Sequence, residues 1–510
     1  MIRSGLVHSD QTDWDLQSTK LKEVFSAKEI KDYEKSLFKK IDDDLNLMKK
    51  AALTAANQIQ EYRLPSKKIL ILFGPGNNGG DGVFIGSFLK KKGYQVELLD
   101  VLPKKNKSRL LEKALQESDL SNSSSIKEIK IELNKITIID AIFGIGGRYI
   151  LNDELKQLMR FVNDAAVKIA IDIPTGECSD SEKKDKDAFA ADYTITFIAY
   201  KIGQILGKSR EAIDSVELKD LGLCISKTME SKLNSFNFSD VKKNLPKRLI
   251  DSHKSNFGKL TVIAGDDGYG GAGILSCKGA LVAGAGLVRL ITRKKYISAA
   301  LAHIPELMVS GSNNAQDFKE ELDYANVITC GPGLKSGYWS EQLMYQAIQI
   351  CNEKNIPLIL DAGGLRLILE EPFINMKLPK KTIITPHPGE AAALLSCSVK
   401  EVQSNRIDSA IKLHKKYGCI AVLKGYQTII ADESIHICEN GTSALAIPGS
   451  GDILTGLIGA MVANGLELNL ACKLAVSLHG QCGDDYSSEI GDVGLSSDML
   501  IELLRKNINC

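Results

Sequence analysis

The sequence predicts an α/β protein made of two three-layer α/β/α domains, each with a mostly parallel sheet. Three observations carry that expectation. Short apolar runs recur without the alternation of a half-exposed strand, as in strands buried on both faces. Helix-length stretches separate them, and most runs end in a loop rich in glycine or acid. The rhythm stops once, between about Ser226 and Ser255, where Lys, Ser and Asn dominate and Pro246 interrupts, and then begins again. The expected boundaries are an N-terminal extension over 1–25, a first domain over 26–230 and a second over 231–510.

After a mixed, polar start, Ser26-Ala27-Lys28-Glu29 reads as a helix start with Ser26 as cap, and helices continue to Tyr62. Lys68 to Phe73 is the first buried strand. It enters the loop Gly74-Pro75-Gly76-Asn77-Asn78-Gly79-Gly80-Asp81-Gly82, and a helix is expected over Val83 to Lys92. Gln95 to Leu99 is the next strand. Ile136 to Asp140 runs into Gly144-Ile145-Gly146-Gly147-Arg148, and Lys168 to Asp172 turns through Ile173-Pro174-Thr175-Gly176. In a parallel sheet these loops share the carboxyl edge, so Asn77, Asn78, Asp140, Asp172 and Thr175 are expected to converge there. A lone Asp at a strand end is usually a turn former or a cap, but three oxygen-rich loops on one edge point to a site. Hard oxygen donors of this kind suit an alkali or alkaline-earth cation.

The second half repeats the pattern. Lys259 to Asp266 leads into Gly270-Gly271-Ala272-Gly273 and a small-residue helix through Gly286. Val327 to Cys330 precedes Gly331-Pro332-Gly333-Leu334, Leu358 to Asp361 precedes Ala362-Gly363-Gly364, and Thr382 to Thr385 precedes Pro386-His387-Pro388-Gly389-Glu390. Ile420 to Gly425, including Lys424, is followed by a hairpin over Thr428 to Cys438.

The most informative stretch is Pro448-Gly449-Ser450-Gly451-Asp452-Ile453-Leu454-Thr455-Gly456. Gly449 and Gly451 let backbone approach an anion, and the unpaired N–H groups of the helix beginning there would hold it. From the edge of that pocket Asp452 could take a proton from a hydroxyl attacking phosphorus. Taken alone, the tetrapeptide reads equally well as a turn with an Asp capping a packed helix. Lys424-Gly425 could lie along a nucleotide's phosphates or sugar. His387 is held between two prolines and suits either a substrate contact or a structural hydrogen bond; Glu390 suits a helix cap better than a water-mediated magnesium contact. No G-x-x-x-x-G-K-[ST] string is present, which excludes a P-loop. His253, His303, His414, His436 and His479 are expected as surface or packed residues, as are the cysteines.

Over 510 residues the chain is 44% apolar and 25% charged with a net charge of +1, which fits a globular protein and gives no electrostatic case for nucleic acid or a membrane surface. Eleven scattered cysteines, with no C-x-x-C, argue for a reducing compartment and against structural zinc. Met1 to Gln11 lacks an apolar signal core, so a cytoplasmic enzyme is expected.

Residues 25 to 505 resemble the bifunctional NAD(P)H-hydrate repair enzymes. The first half is similar to the NAD(P)H-hydrate epimerase domain in Asn77 to Gly82, Asp140 to Gly144 and Ile171 to Gly176. The second resembles the ADP-dependent NAD(P)H-hydrate dehydratases of the ribokinase-like superfamily, through His253-Lys254, Gly331 to Leu334, Thr385 to Glu390, Leu423 to Gly425, Gly449 to Asp452 and Leu478-His479-Gly480. The resemblance implies a Rossmann-like epimerase domain and a ribokinase-like domain. The substrates it implies are NADHX and NADPHX, the hydrates of NADH and NADPH.

The first domain would interconvert R and S epimers, binding substrate through Asn77, Asn78, Gly79, Gly80, Asp81, Gly144, Ile145, Gly146, Gly147, Arg148, Tyr149, Ile150 and Asp172. Potassium would be held by Asn78, Asp140 and Thr175. The second domain would dehydrate the S form while converting ADP to AMP and phosphate, with Asp452 as base. Ala272, Gly333, His387 and Asp452 would contact the hydrate, and Lys424, Gly425, Tyr426, Gln427, Thr428 and Gly451 the adenine nucleotide, with Mg2+ accompanying ADP. A homo-oligomer is expected. Gly363 departs from the family pattern where an acid is usual, Pro448 where glycine is usual, and Leu47 to Ala52 and Gly268 to Ala272 also vary. Two alternatives stay open: a ribokinase-type small-molecule kinase, and a first half that only binds nucleotide and regulates the second.

Overall fold

The computed structural model describes residues 21–38, 44–126, 132–147, 149–223, 225, 228–229, 231–313 and 318–510. Among these, seven strands form one wholly parallel sheet. Their spatial order is Asn122–Ser123, Gln95–Asp100, Lys68–Phe73, Thr137–Ala141, Val167–Ile171, Tyr193–Phe197 and Val216–Lys219. The order reverses direction beside Lys68–Phe73, which opens a crevice at its carboxyl end and that of Thr137–Ala141. Alternate residues feed opposite layers: Ile69, Ile71 and Phe73 enter one apolar cluster, Leu70 and Leu72 another.

The second sheet has twelve strands among the described residues. Met308–Gly311, Leu287–Thr292, Lys259–Ile263, Val327–Cys330, Leu358–Leu360, Thr382–Ile384 and Ile420–Leu423 run parallel, with the reversal between Lys259–Ile263 and Val327–Cys330. The antiparallel pair Ile429–Ala431 and Ile435–Cys438 follows, the expected hairpin. Leu358 and Leu360 pack on one face and Ile359 on the other, so this sheet too is buried on both sides.

Three further strands extend the second sheet: Leu233–Phe236, Lys22–Phe25 and Tyr200–Lys201. The first lies in the stretch where the sequence pattern dissolves, the second in the polar N-terminal stretch, and the third comes from the first half. They are two to four residues long, too short to show a period, and their support is non-local. Lys22 pairs with Glu439 at 3.0 Å, and Ser235 donates to the same carboxylate at 2.7 Å.

The helix after Lys68–Phe73 is Asn77–Lys91, with Gly76 as N-cap, and not Val83 to Lys92 as expected. The residues read as a glycine loop are its first turns. A Cβ at Gly79 would lie 2.1 Å from Gly74 O, and one at Gly82 2.5 Å from the Ala141 side chain, so these glycines serve close packing of helix on sheet. Ser26 caps its helix as expected, accepting from Glu29 N at 3.3 Å while Glu29 accepts from Ser26 N at 2.7 Å.

Candidate active sites

In the second half, the helix Ser450–Ala463 begins at Gly449, whose φ of +87° turns the chain sharply into the first helical turn. Ser450 Oγ lies 3.1 Å from His479 Nε2. Burial first, then the charge of Asp361, pushes Asp452 up to about 7, against the opposing pull of Lys424. Lys424 Nζ is 2.7 Å from Asp361 Oδ1, and Thr455 Oγ1 donates to Asp361 Oδ2 at 2.7 Å. The ammonium lies above the helix start, 3.5 Å from where a Cβ on Gly451 would stand. Burial works against its charge, yet Asp361 and Glu390 hold Lys424 above its ordinary range. A buried carboxyl, a fixed cation and a helix N-terminus therefore share one strand edge.

A cavity of about 1190 Å³ opens beside them, lined by His387, Lys424, Gly425, Tyr426, Thr428, Ser450, Gly451 and His479, and also by Ser209 and Glu211 of the first half. His387 is the N-cap of Pro388–Leu395: its Nδ1 accepts from Gly389 N at 3.0 Å and Glu390 N at 3.3 Å. Glu390 accepts from His387 N at 2.8 Å, the cap the sequence favoured. Ala272 and Gly333 pack on each other, a Cβ at Gly333 falling 3.0 Å from that of Ala272, but neither lines the cavity. Gln427 does not line it either. That residue is 1% exposed, and its side chain accepts from Gly207 N at 2.6 Å and donates to Ile205 O at 2.7 Å, so it joins the halves.

In the first half the expected oxygen-rich loops do meet. Asp140 Oδ1 accepts from Thr175 Oγ1 at 2.8 Å and Ile142 N at 3.1 Å, and Oδ2 from Thr175 N at 2.7 Å. Burial outweighs these bonds and raises Asp140 to about 6. Asn78 is buried and donates to Ile171 O at 3.1 Å. Asp172, at φ +67°, accepts from Ile145 N at 3.0 Å and faces Gly144, where a Cβ would stand 2.8 Å from its Oδ2. A left-handed aspartate at a strand end is a strained conformation of the kind that gathers at functional sites. Burial, then Asp172 and Glu34, raise Asp81 well above the ordinary carboxyl range.

Asn77, Gly79 and Gly80 occupy the first turn beside Asn78, while Gly146 lies under Lys31, whose Nζ would be 3.5 Å from a Cβ there. Gly147 packs on Phe143, and Ile150 is exposed next to Tyr149. Arg148 lies outside the described residues.

Sequence reasoning missed four participants: Lys201, Glu34, His479 and Thr455. Lys201 is 1% exposed and reaches Asp172 Oδ1 at 2.5 Å, Thr196 Oγ1 at 2.5 Å and Phe197 O at 3.0 Å. Its signal was a lone lysine inside the apolar run Phe197 to Ile202, since a buried ammonium needs a carboxylate. Burial, then the Asp172 charge, raises Glu34. His479 was expected as a surface or packed residue; it is buried, lines the cavity beside Ser450, and burial lowers it to about 4.

A family model described as NAD(P)H-hydrate dehydratase matches residues 260–506, and one described as YjeF-related protein N-terminus matches residues 44–203. Over 464 residues the chain is 35% identical to the bifunctional NAD(P)H-hydrate repair enzyme Nnr of Escherichia coli (strain K12), covering 89% of this chain and 88% of that one. Over 499 residues it is 32% identical to the protein of the same name from Coxiella burnetii, covering 95% and 99%. A solved ribokinase-like superfamily protein of Enterococcus faecalis V583 aligns with a TM-score of 0.50 and 27% identity over 55% of this chain and 97% of that one.

Fold and comparisons together define an enzyme of two α/β units, the second ribokinase-like. The chain belongs to the family of bifunctional NAD(P)H-hydrate repair enzymes. Among the described residues, no helix is long and apolar enough to cross a membrane.

Proposed function

We propose that the chain repairs hydrated nicotinamide nucleotides, its first half epimerising R- and S-NAD(P)H hydrate and its second dehydrating the S form with ADP. The observation that carries this reading is the raised carboxyl of Asp452 in the first turn of Ser450–Ala463, facing Lys424 and close to a cavity that Lys424 and Gly451 line. Asp452 takes the proton from the ring hydroxyl as that oxygen attacks the β-phosphorus of ADP. The bond between that phosphorus and the bridging oxygen breaks and releases AMP. The ring nitrogen's electrons then expel phosphate by breaking the C–O bond of the new ester, and loss of a proton from the neighbouring ring carbon to solvent restores the dihydronicotinamide. Lys424 and the N–H groups after Gly449 hold the charge on the phosphoryl oxygens.

Lys424, Gly425, Tyr426, Thr428 and Gly451 contact the nucleotide, and His387, Ala272 and Gly333 the hydrate. Gln427 acts by holding that loop to the first half. The described residues hold no group of three or more His, Cys, Asp or Glu suited to a metal ion, so Mg2+ would ride on the nucleotide's own phosphates.

In the first half, Asn77 to Asp81, the loop from Gly144 and Asp172 bind the hydrate. Potassium fits Asn78, Asp140 and Thr175. The groups bonded to the buried Asp140 are an O–H and two N–H, all uncharged, and a monovalent cation would offset its charge. A cytoplasmic, homo-oligomeric protein completes the reading. Simple alcohol phosphorylation is not favoured, because the relatives that span both halves are named as hydrate repair enzymes. The test uses the full chain with S-NADPH hydrate and ADP, followed at the NADPH absorbance band, with ATP and simple alcohols as comparison. ADP binding without turnover would overturn the dehydratase reading; R to S exchange tests the epimerase separately.

A further inference from the structure

Asp361 leaves the end of Leu358–Leu360 almost fully buried, 1% exposed. Each carboxylate oxygen has a different partner. Oδ1 lies 2.7 Å from Lys424 Nζ, at the end of Ile420–Leu423, and Oδ2 accepts from Thr455 Oγ1 at 2.7 Å, three residues after Asp452 on Ser450–Ala463. The Thr455 hydroxyl also contacts Gly451 O at 2.9 Å, inside the first turn. One carboxylate thus ties two strand ends to the helix that bears the base. Its backbone is equally confined: Gly331 packs so tightly that a Cβ there would stand 1.8 Å from Asp361 O.

The structure assigns Asp361 as a positioning residue of the dehydratase site: it holds Lys424 over the first turn of Ser450–Ala463 and sets the charge that Asp452 faces. The assignment rests on Asp452 being the base. The charged groups acting on Asp452 are Asp361, Lys424 and Glu390 on Pro388–Leu395; His387 caps that helix and His479 bonds Ser450. Lys424 favours the ionised base, and Asp361 and Glu390 oppose it. A carboxylate so balanced becomes a stronger proton acceptor while staying partly ionised near neutrality. Without Asp361 the like charge disappears, and Lys424 keeps Glu390 and Asp452 as its anionic neighbours.

The test is the pH profile of kcat for ADP-dependent dehydration in Asp361→Asn, Thr455→Val and Lys424→Met. Asp361→Asn is expected to move the acid limb about one pH unit lower, because a like charge is gone. Thr455→Val keeps all charges; it should lower kcat and leave the limb in place. Lys424→Met should move the limb upward in whatever turnover remains. An Asp361→Asn limb at the wild-type position overturns the assignment. If that variant does not fold, an unmoved limb in Lys424→Met overturns it equally. Asp452→Asn, run in parallel, separates the two levels: surviving turnover there removes the base itself, whereas lost turnover with an unmoved Asp361→Asn limb removes only the positioning role.

Discussion

Lys201 Nζ stands 2.5 Å from Asp172 Oδ1, and the two side chains belong to opposite ends of one loop system: Asp172 closes Val167–Ile171 and Lys201 lies past Tyr193–Phe197. Lys201 is buried and its ammonium bonds Asp172, Thr196 and Phe197 O, so it braces Asp172 in its left-handed conformation. Lys201→Met should cost about 3–5 kcal/mol, since removing one partner leaves a buried charge uncompensated. Denaturant unfolding would measure that, and R to S exchange should fall while ADP-dependent dehydration continues.

Asp452→Asn keeps the shape of the first turn and removes the proposed proton acceptor. Dehydration should drop about 10²- to 10⁴-fold, the usual contribution of a positioned base. ADP affinity by calorimetry and epimerisation should stay close to wild type.

As the proposed base, Asp452 acts only when ionised, and burial with Asp361 raises it to about 7. The rate of dehydration should therefore climb as pH rises through about 7 and flatten above it. The proton-bound form dominates below that value, so activity is lost on the acid side. A kcat profile taken from pH 5 to 9 with saturating ADP checks the sign.

Gln427 ties the loop after Lys424 to Gly207, Ile205 and Lys208. Gln427→Ala leaves a buried N–H and carbonyl without partners, about 1–3 kcal/mol for each group left unsatisfied. Scanning calorimetry should show a lower transition temperature and a smaller ADP-induced rise, because the loop proposed to contact nucleotide is no longer fixed to the first half.

Gly363 stands where the resemblance implies an acid, and the packing around it leaves no room for one. A Cβ at 363 would stand 2.2 Å from Leu334 O, a backbone atom with no room to yield. Gly363→Asp should destabilise by about 1–3 kcal/mol through overpacking and lower dehydratase turnover. Equal or greater stability in denaturant would contradict that packing.

The strands buried on both faces, the glycine loops at their carboxyl ends and Asp452 behind Gly449 were legible in the sequence. Each is a property of a few neighbouring residues: an apolar run, a turn chemistry, a helix start. The tertiary structure alone decided the rest. Leu233–Phe236 and Lys22–Phe25 are strands because distant edges pair with them. Asp361 meets Thr455, 94 residues away, because parallel order brings their strand end and helix start to one edge. Lys201 is buried because Asp172 waits inside, and Gln427 turns from the cavity because the first half offers it partners. Such pairings satisfy buried charges and polar groups, and that demand arises only once the chain has folded around them.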